Sequence, residues 1–256
     1  MIPKRAGGPG DFRGRLQRLE SFESEGISVD AYAFQEAVLR WQLARSGEIP
    51  QPDSQPLAEL LLDETRLAIE ELASVSPGPM QEAASLIDGV LVEAWLANRL
   101  VSPPAAMWLR VGSAPVLEGI ARAAVDSADA DRSLCPVCEG MPQISAIVEE
   151  SGEFMQGSPR YLICSRCAFW WRFARATCPT CGEHDPKQLG SYRADAWPWA
   201  RIDSCQTCNS YIKTFDLREQ GAGAVVPLMD DLATLALDLW AQEHALRRST
   251  PSMAGV

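Results

Sequence analysis

The chain has 256 residues, 46% hydrophobic and 22% charged, with Gly 18 and Pro 18, which excludes a collagen-like, coiled-coil or wholly disordered polypeptide. A net charge of −11 and a pI near 4.7 argue against free nucleic acid as a partner, because phosphate binding needs clustered Lys and Arg. Two histidines in the whole chain argue against a multi-histidine metallohydrolase, and eight cysteines, all in Cys-x-x-Cys pairs, stand out.

The first segment, Met1 to Gly8, is basic with no apolar stretch behind it, so no secretory leader is expected. Residues 1–130 hold 11 Lys and Arg against 19 Asp and Glu, residues 131–220 hold 10 against 11, and every cysteine lies between Cys135 and Cys208. An acidic N-terminal unit and a cysteine-rich unit are therefore expected. In the first unit, Val29, Ala33, Ala37, Val38 and Trp41 recur at helical spacing, as do Leu57, Leu60, Leu61, Leu67, Ile69 and Leu72. A third helix is predicted through Ala83, Leu86, Ile87, Val90, Leu91, Ala94 and Trp95, and a further one over Val116 to Val125. Pro50, Pro52 and Pro56 separate the first two, Ser76-Pro77-Gly78-Pro79 the next pair, and Pro103-Pro104 stops the third. The sum is a four- or five-helix bundle. The most apolar stretch, Ala83 to Leu100, carries Asp88, Glu93 and Arg99 and is too polar for a membrane span; an intracellular chain with no membrane insertion is expected.

From Cys135 the periodicity changes, and strands are predicted over Gln143 to Val148, Arg160 to Ile163, Ala168 to Phe173, Leu189 to Tyr192 and Tyr211 to Leu217. After Gly221-Ala222-Gly223 one last helix is predicted, capped by Asp230 or Asp231. Its apolar stripe would be Leu228, Leu232, Leu235, Ala236, Leu239 and Trp240, with a disordered tail beyond Arg248. The predicted class is α+β: an N-terminal helical bundle (1–130), a first ribbon (131–175), a second ribbon (176–222), and a C-terminal helix and tail (223–256).

The knuckles are Cys135/Cys138, Cys164/Cys167, Cys178/Cys181 and Cys205/Cys208. Two residues between cysteines form a tight turn that aims both sulfurs at one ion, and two such turns supply a tetrahedral thiolate site. Cys135 to Cys164 is 29 positions, Cys178 to Cys205 is 27, and the first knuckle of each half reads Cys-Pro-x-Cys. This internal duplication favours sequential pairing: Cys135, Cys138, Cys164 and Cys167 as one site, Cys178, Cys181, Cys205 and Cys208 as the other. The rival is a cross-brace in which the first and third knuckles share an ion. Thiolate-only sites have no open position for catalysis and suit zinc and iron alike. A redox dithiol lacks the expected strand-to-helix context. His184 and His244 read as a loop and a surface histidine. Alternation along Phe169-Trp170-Trp171-Arg172-Phe173 sends Trp170 and Arg172 to one face, either packing the ribbons together, the favoured reading, or forming a docking surface. Trp197 and Trp199 are either a core plug or exposed anchors.

Cys135-Pro136-Val137-Cys138 followed by Met141-Pro142, Arg160-Tyr161-Leu162-Ile163-Cys164, Cys178 to Cys181, Ser204-Cys205 with Cys208 and Tyr211-Ile212-Lys213, and the segment Asp230 to Asp238 together resemble the formate dehydrogenase accessory protein FdhE family. The resemblance is dense from about residue 133 to 245. It implies a cytoplasmic maturation factor rather than an enzyme, one that associates with the catalytic subunit of respiratory formate dehydrogenase. It also implies rubredoxin-like knuckles in which the eight cysteines hold two metal ions, iron favoured and zinc possible. The competing class is a thiol- or iron-dependent redox catalyst acting on a client metal centre.

Overall fold

The computed structural model describes residues 7–22, 28–47, 55–124, 132–152, 155–219 and 224–252. Among the described residues six α-helices come first: α1 (Phe12–Glu20), α2 (Val29–Arg45), α3 (Leu57–Leu72), α4 (Gly78–Ala84), α5 (Gly89–Leu96) and α6 (Pro103–Ala123). α1 was not expected. Phe12, Leu16 and Leu19 bury one side of it. The buried Arg15 binds Glu118 of α6 at 2.8 Å, fixing the helix in place. In α2 the buried face is Phe34, Val38, Leu39 and Trp41, while Val29 is 80% exposed.

The predicted third helix is two helices. Asp88 accepts a hydrogen bond from the Leu91 amide at 2.8 Å, and this N-cap restarts the chain as α5 after a break at Leu86 and Ile87. Pro103 and Pro104 do not stop a helix but open α6, where a missing N–H leaves no bond unmade. α6 therefore begins well before Val116 and carries Pro115 within it. It lies against α3 at Gly112, where a Cβ would meet the Thr65 Cα at 2.3 Å, so a larger residue would push the two helices apart. Pro50, Pro52, Val125 and Gly221 to Gly223, named in the expectations above, lie outside the described residues, as does most of the Met1 to Gly8 segment.

Among the described residues nine strands follow: β1 (Pro142–Ile147), β2 (Glu150–Gly152), β3 (Met155–Gly157), β4 (Arg160–Cys164), β5 (Trp170–Phe173), β6 (Leu189–Arg193), β7 (Ala200–Cys205), β8 (Ser210–Asp216) and, near the C-terminus, β9 (Arg247–Arg248). β2 and β3 form a separate hairpin; the others make one sheet in the order β5-β4-β1-β8-β7-β6, with β9 also on β8. Each half is a three-stranded antiparallel meander, β1-β4-β5 and then β6-β7-β8. The duplication read from the knuckles is thus repeated in the strands. The halves join where β1 and β8 pair in parallel, from Ser145 opposite Thr214 to Ile147 opposite Asp216.

The first meander is buried on both faces. Leu162, Trp171 and Phe173 share a core with Val38, Leu61, Trp108 and Leu117 of the helices. Tyr161, Ile163 and Trp170 face the other way, into a core completed by Phe215, Leu228 and Leu237. The expected alternation is therefore present, but both faces are covered. Trp170 is 5% exposed and is no docking anchor.

The predicted last helix breaks at Thr234 into α7 (Pro227–Ala233) and α8 (Leu235–Glu243). Asp230 and Asp231 do not cap it; they lie within α7, fully buried. The break turns the apolar face: Leu237 and Ala241 go inward, while Leu239 is 48% exposed. Asp231 is held by Lys213 at 2.7 Å and Arg248 at 3.1 Å, and Asp238 by the same two residues at 2.6 and 2.8 Å. The segment after Arg248 is packed as far as Ser252: Thr250 donates to the Pro142 carbonyl at 3.0 Å, and Ser252 is buried. Residues 253–256 lie outside the described residues.

Candidate metal centres

Each meander carries one knuckle ahead of its first strand and one between its second and third. This brings Cys135, Cys138, Cys164 and Cys167 together, and separately Cys178, Cys181, Cys205 and Cys208, with all sulfurs of a cluster within 4.8 Å of one another. The pairing is sequential; the cross-brace is not formed. Sulfur–sulfur separations include 3.6 Å for Cys135–Cys167, 3.4 Å for Cys138–Cys164, 3.8 Å for Cys178–Cys208 and 3.7 Å for Cys181–Cys205. These are too long for disulfides. They approach the ~3.8 Å edge of a tetrahedron whose metal–sulfur bonds are about 2.3 Å.

All four knuckles turn alike. The residue after the second cysteine has positive φ in each: Glu139 at 55°, Ala168 at 54°, Gly182 at 78° and Asn209 at 53°. Only one is glycine, so three L-residues occupy the left-handed region, where sterics oppose them. The turn also aims amides at sulfur: Val137 donates to Cys135 and Arg166 to Cys164, each at 3.4 Å. Such bonds spread thiolate charge. At Gly140 a Cβ would sit 3.0 Å from the Cys164 sulfur, so this glycine lets the backbone pass beside the first cluster.

The clusters differ in their surroundings. In the first, Cys135, Cys164 and Cys167 are buried in the core shared with the helices. Arg166, which sequence reasoning passed over, is 5% exposed. It binds the Trp95 carbonyl, the Asn98 side chain at 2.6 Å and the Cys138 carbonyl at 3.4 Å, and lies over the Trp95 ring. It thus ties the knuckles to the end of α5 and places a positive charge beside four potential thiolates. Hydrogen bonds from the other three sulfurs hold the Cys135 thiol well below its usual range, while burial pushes Cys164 up.

In the second cluster Cys181 is exposed. Burial pushes the Cys178 thiol up, but the Ser210 hydroxyl and the Cys181 and Thr180 amides outweigh it and bring it to about 7. Partial desolvation and the neighbouring Cys208 and Cys205 sulfurs push Cys181 up to about 12. Metal binding requires thiolates and releases protons, so both clusters should hold an ion less tightly as pH falls. The open position of Cys181 gives a further expectation: a chelator removes metal from the second cluster first. Its four cysteines should then alkylate before those of the first, as read by mass spectrometry of the labelled peptides; simultaneous labelling would refute this.

His184 is exposed and stays out of the second cluster, its Nδ1 3.5 Å from the Gly182 carbonyl. His244 is exposed, stacked on Trp240 with ring centres 4.1 Å apart. Trp197 and Trp199 are half-buried against the second core, Trp199 stacking on Phe215 at 5.7 Å, so neither is a fully buried plug and both reach the surface in part. Among the described residues no helix is long and apolar enough to cross a membrane.

Comparison with known proteins agrees with this arrangement. The family description "FdhE, central domain" matches residues 134–175 and "FdhE, C-terminal domain" matches 176–254. A protein FdhE homolog of Pseudomonas aeruginosa is 28% identical over 245 residues, 93% of this chain and 74% of that protein. One from Aquifex aeolicus is 38% identical over 113 residues, 44% of this chain but only 38% of its own length. One from Shewanella oneidensis is 38% identical over 109 residues, covering 34% of its own length. The crystal structure of the FdhE protein from Pseudomonas aeruginosa superposes with a TM-score of 0.68 at 22% identity, covering 99% of this chain and 97% of that one, so the fold extends through the N-terminal helices. With the duplicated knuckles and the matched fold together, the chain belongs to the FdhE family.

Proposed function

We propose that the protein is an accessory factor in formate dehydrogenase maturation that binds the catalytic subunit of the respiratory enzyme in the cytoplasm and has no turnover of its own. The observation that carries this reading is the pair of four-cysteine clusters in a chain of this family. Neither cluster includes a histidine or carboxylate, so a bound ion would be closed off by four sulfurs and would act as a staple. All eight cysteines would serve as ligands, for iron in preference to zinc if the knuckles are rubredoxin-like as the resemblance implies; either metal would lock the ribbons into a rigid surface that loses little entropy on docking. Residues 1–130, 131–175, 176–222 and 223–256 would act as the helical, first-ribbon, second-ribbon and closing units.

With Trp170 buried, the candidate anchors are Trp197 and Trp199. Replacing an anchor should weaken a specific interface by more than about 1 kcal/mol. The expected outcome of a pull-down is capture of the catalytic subunit by the wild type and reduced capture by Trp197→Ala or Trp199→Ala, each still carrying two metals. Undiminished capture by both would move the docking surface to the helices. The exposed Cys181 favours a second reading, a redox catalyst acting on the client's metal centre. That reading gains if the wild type captures no subunit and the dehydrogenase is nevertheless inactive without the protein.

A further inference from the structure

Between the two meanders, beside the second cysteine cluster, lies a cleft of about 260 Å³ lined by Arg160, Arg175, Arg201, Asp203, Cys178 and Cys205, among others. Arg160 projects from β4 and is 3% exposed. Its Nε donates to the Ser145 hydroxyl at 3.2 Å and its Nη1 to the carbonyls of Thr177 at 3.0 Å and Ala174 at 3.4 Å. Its Nη2 is buried and finds no partner among the described residues. An unpartnered guanidinium N–H in a buried place is costly, and native proteins rarely leave one.

Among the described residues, no carboxylate lining the cleft is free to take it. Asp203, in the same cleft, already accepts from Arg201 at 2.8 Å, Ser191 at 3.1 Å and Thr214 at 2.6 Å. Asp216 is engaged by Arg218 at 2.6 Å. Burial lowers the affinity of Arg160 for its proton; Asp203 and Cys178 oppose this, while Arg201 and Arg175 add positive charge around it. Arg175 is exposed at the cleft's edge, its Nη1 donating to the Ser158 carbonyl at 3.2 Å.

We propose that this cleft receives a single carboxylate group, which completes the free Nη2 of Arg160 and lies among the guanidinium groups of Arg175 and Arg201. The charge count favours a carboxylate over a phosphate dianion. Three guanidinium charges are offset by Asp203 and by the one or two negative charges that four thiolates leave around a trivalent or divalent ion. What remains is at most singly positive, which suits a monoanion and falls short of balancing a phosphate dianion. Arginine's planar fork also fits the two oxygens of a carboxylate. The carboxylate can come from a small free acid or from a peptide, by its C-terminus or an acidic side chain.

The test uses the full-length, metal-loaded protein at constant ionic strength, with arginine Nε–Hε signals followed by NMR. The probes are acetate, inorganic phosphate, and an acetylated tripeptide as its free acid and as its amide. Saturable binding of acetate or of the free-acid peptide is expected, with no response to the amide and weaker binding of phosphate. Saturation by acetate identifies a small-acid site; saturation by the free-acid peptide alone identifies a peptide carboxylate. Arg160→Lys should weaken binding about tenfold or more, the loss expected for a charge-assisted hydrogen bond. Because Arg160 also supports the backbone, Arg175→Gln at the exposed edge serves as the second variant and should weaken binding about threefold through its charge. Lack of saturation by either carboxylate, tighter binding of phosphate than of both, or unchanged affinity in Arg175→Gln would overturn the proposal.

Discussion

Cys135→Ser is expected to lose one metal ion per chain and to loosen the helices together with the first ribbon, whereas Cys205→Ser is expected to lose one ion and leave the helices folded. The asymmetry follows from packing. Cys135, Cys164 and Cys167 lie in the same core as Trp108, Leu61 and Val38, so collapse of the first cluster removes one wall of the helical core. The second cluster is outside that core, with Cys181 at the surface. A four-thiolate site contributes on the order of 10–16 kcal/mol in small peptides, comparable to the ~5–15 kcal/mol by which a whole domain is stable. Metal analysis with hydrogen exchange on α3 and α6 reads both outcomes. Cys135→Ser protein that keeps two ions, or that loses one with the helices equally protected, would contradict this.

Asp231→Ala is expected to destabilise the protein by about 3–5 kcal/mol, the cost of breaking a buried ion pair from one side. Lys213 is fully buried and Arg248 nearly so, and both share Asp231 with Asp238. Gln143 also donates to Asp231, at 2.8 Å. With Asp231 gone, two cations face one carboxylate, and of the polar links between α7 and β8 among the described residues only the bonds from Lys213 to the residue 231 carbonyl and to Thr234 remain. The pH dependence has a definite sign. Burial pushes the Asp231 pKa up, but Arg248 and Lys213 outweigh it and hold it well below the usual carboxylate range. A depressed folded pKa contributes stability that is fully present above the unfolded value of about 3.9 and is lost as pH falls towards the folded value. Urea midpoints between pH 7 and strong acid should therefore fall for the wild type, and this part of the fall should be absent in Asp231→Asn. An Asp231→Ala midpoint equal to the wild type would show that the network is not structural.

The cluster geometry was legible in the sequence because a Cys-x-x-Cys turn is a local device: its spacing alone aims two sulfurs together, and the matched separations select the partner. Five of the strands were legible for the same kind of reason. β7 was not, although Ala200, Ile202 and Ser204 alternate inward with Arg201 and Asp203, because charges on the outward positions hide the apolar period. The helix boundaries failed where capping overrode periodicity: the apolar rhythm of Ala83 to Trp95 runs on through the break, and only Asp88 marks it. The placement of Trp170, Asp231 and Arg166 depends on contacts between distant segments that no local pattern carries. A polar Asp pair at the start of an apolar run reads as a cap; it is buried here because Arg18, Lys213 and Arg248, remote in the chain, arrive to neutralise it.

The most direct measurement is metal stoichiometry combined with X-ray absorption on anaerobically purified protein. Two ions per chain are predicted, each with four sulfur neighbours at about 2.3 Å. The visible absorption of a ferric tetrathiolate is expected if the ions are iron, and no colour if they are zinc. Fewer than two ions per chain, or nitrogen or oxygen neighbours in place of sulfur, would contradict two sequentially paired four-cysteine centres.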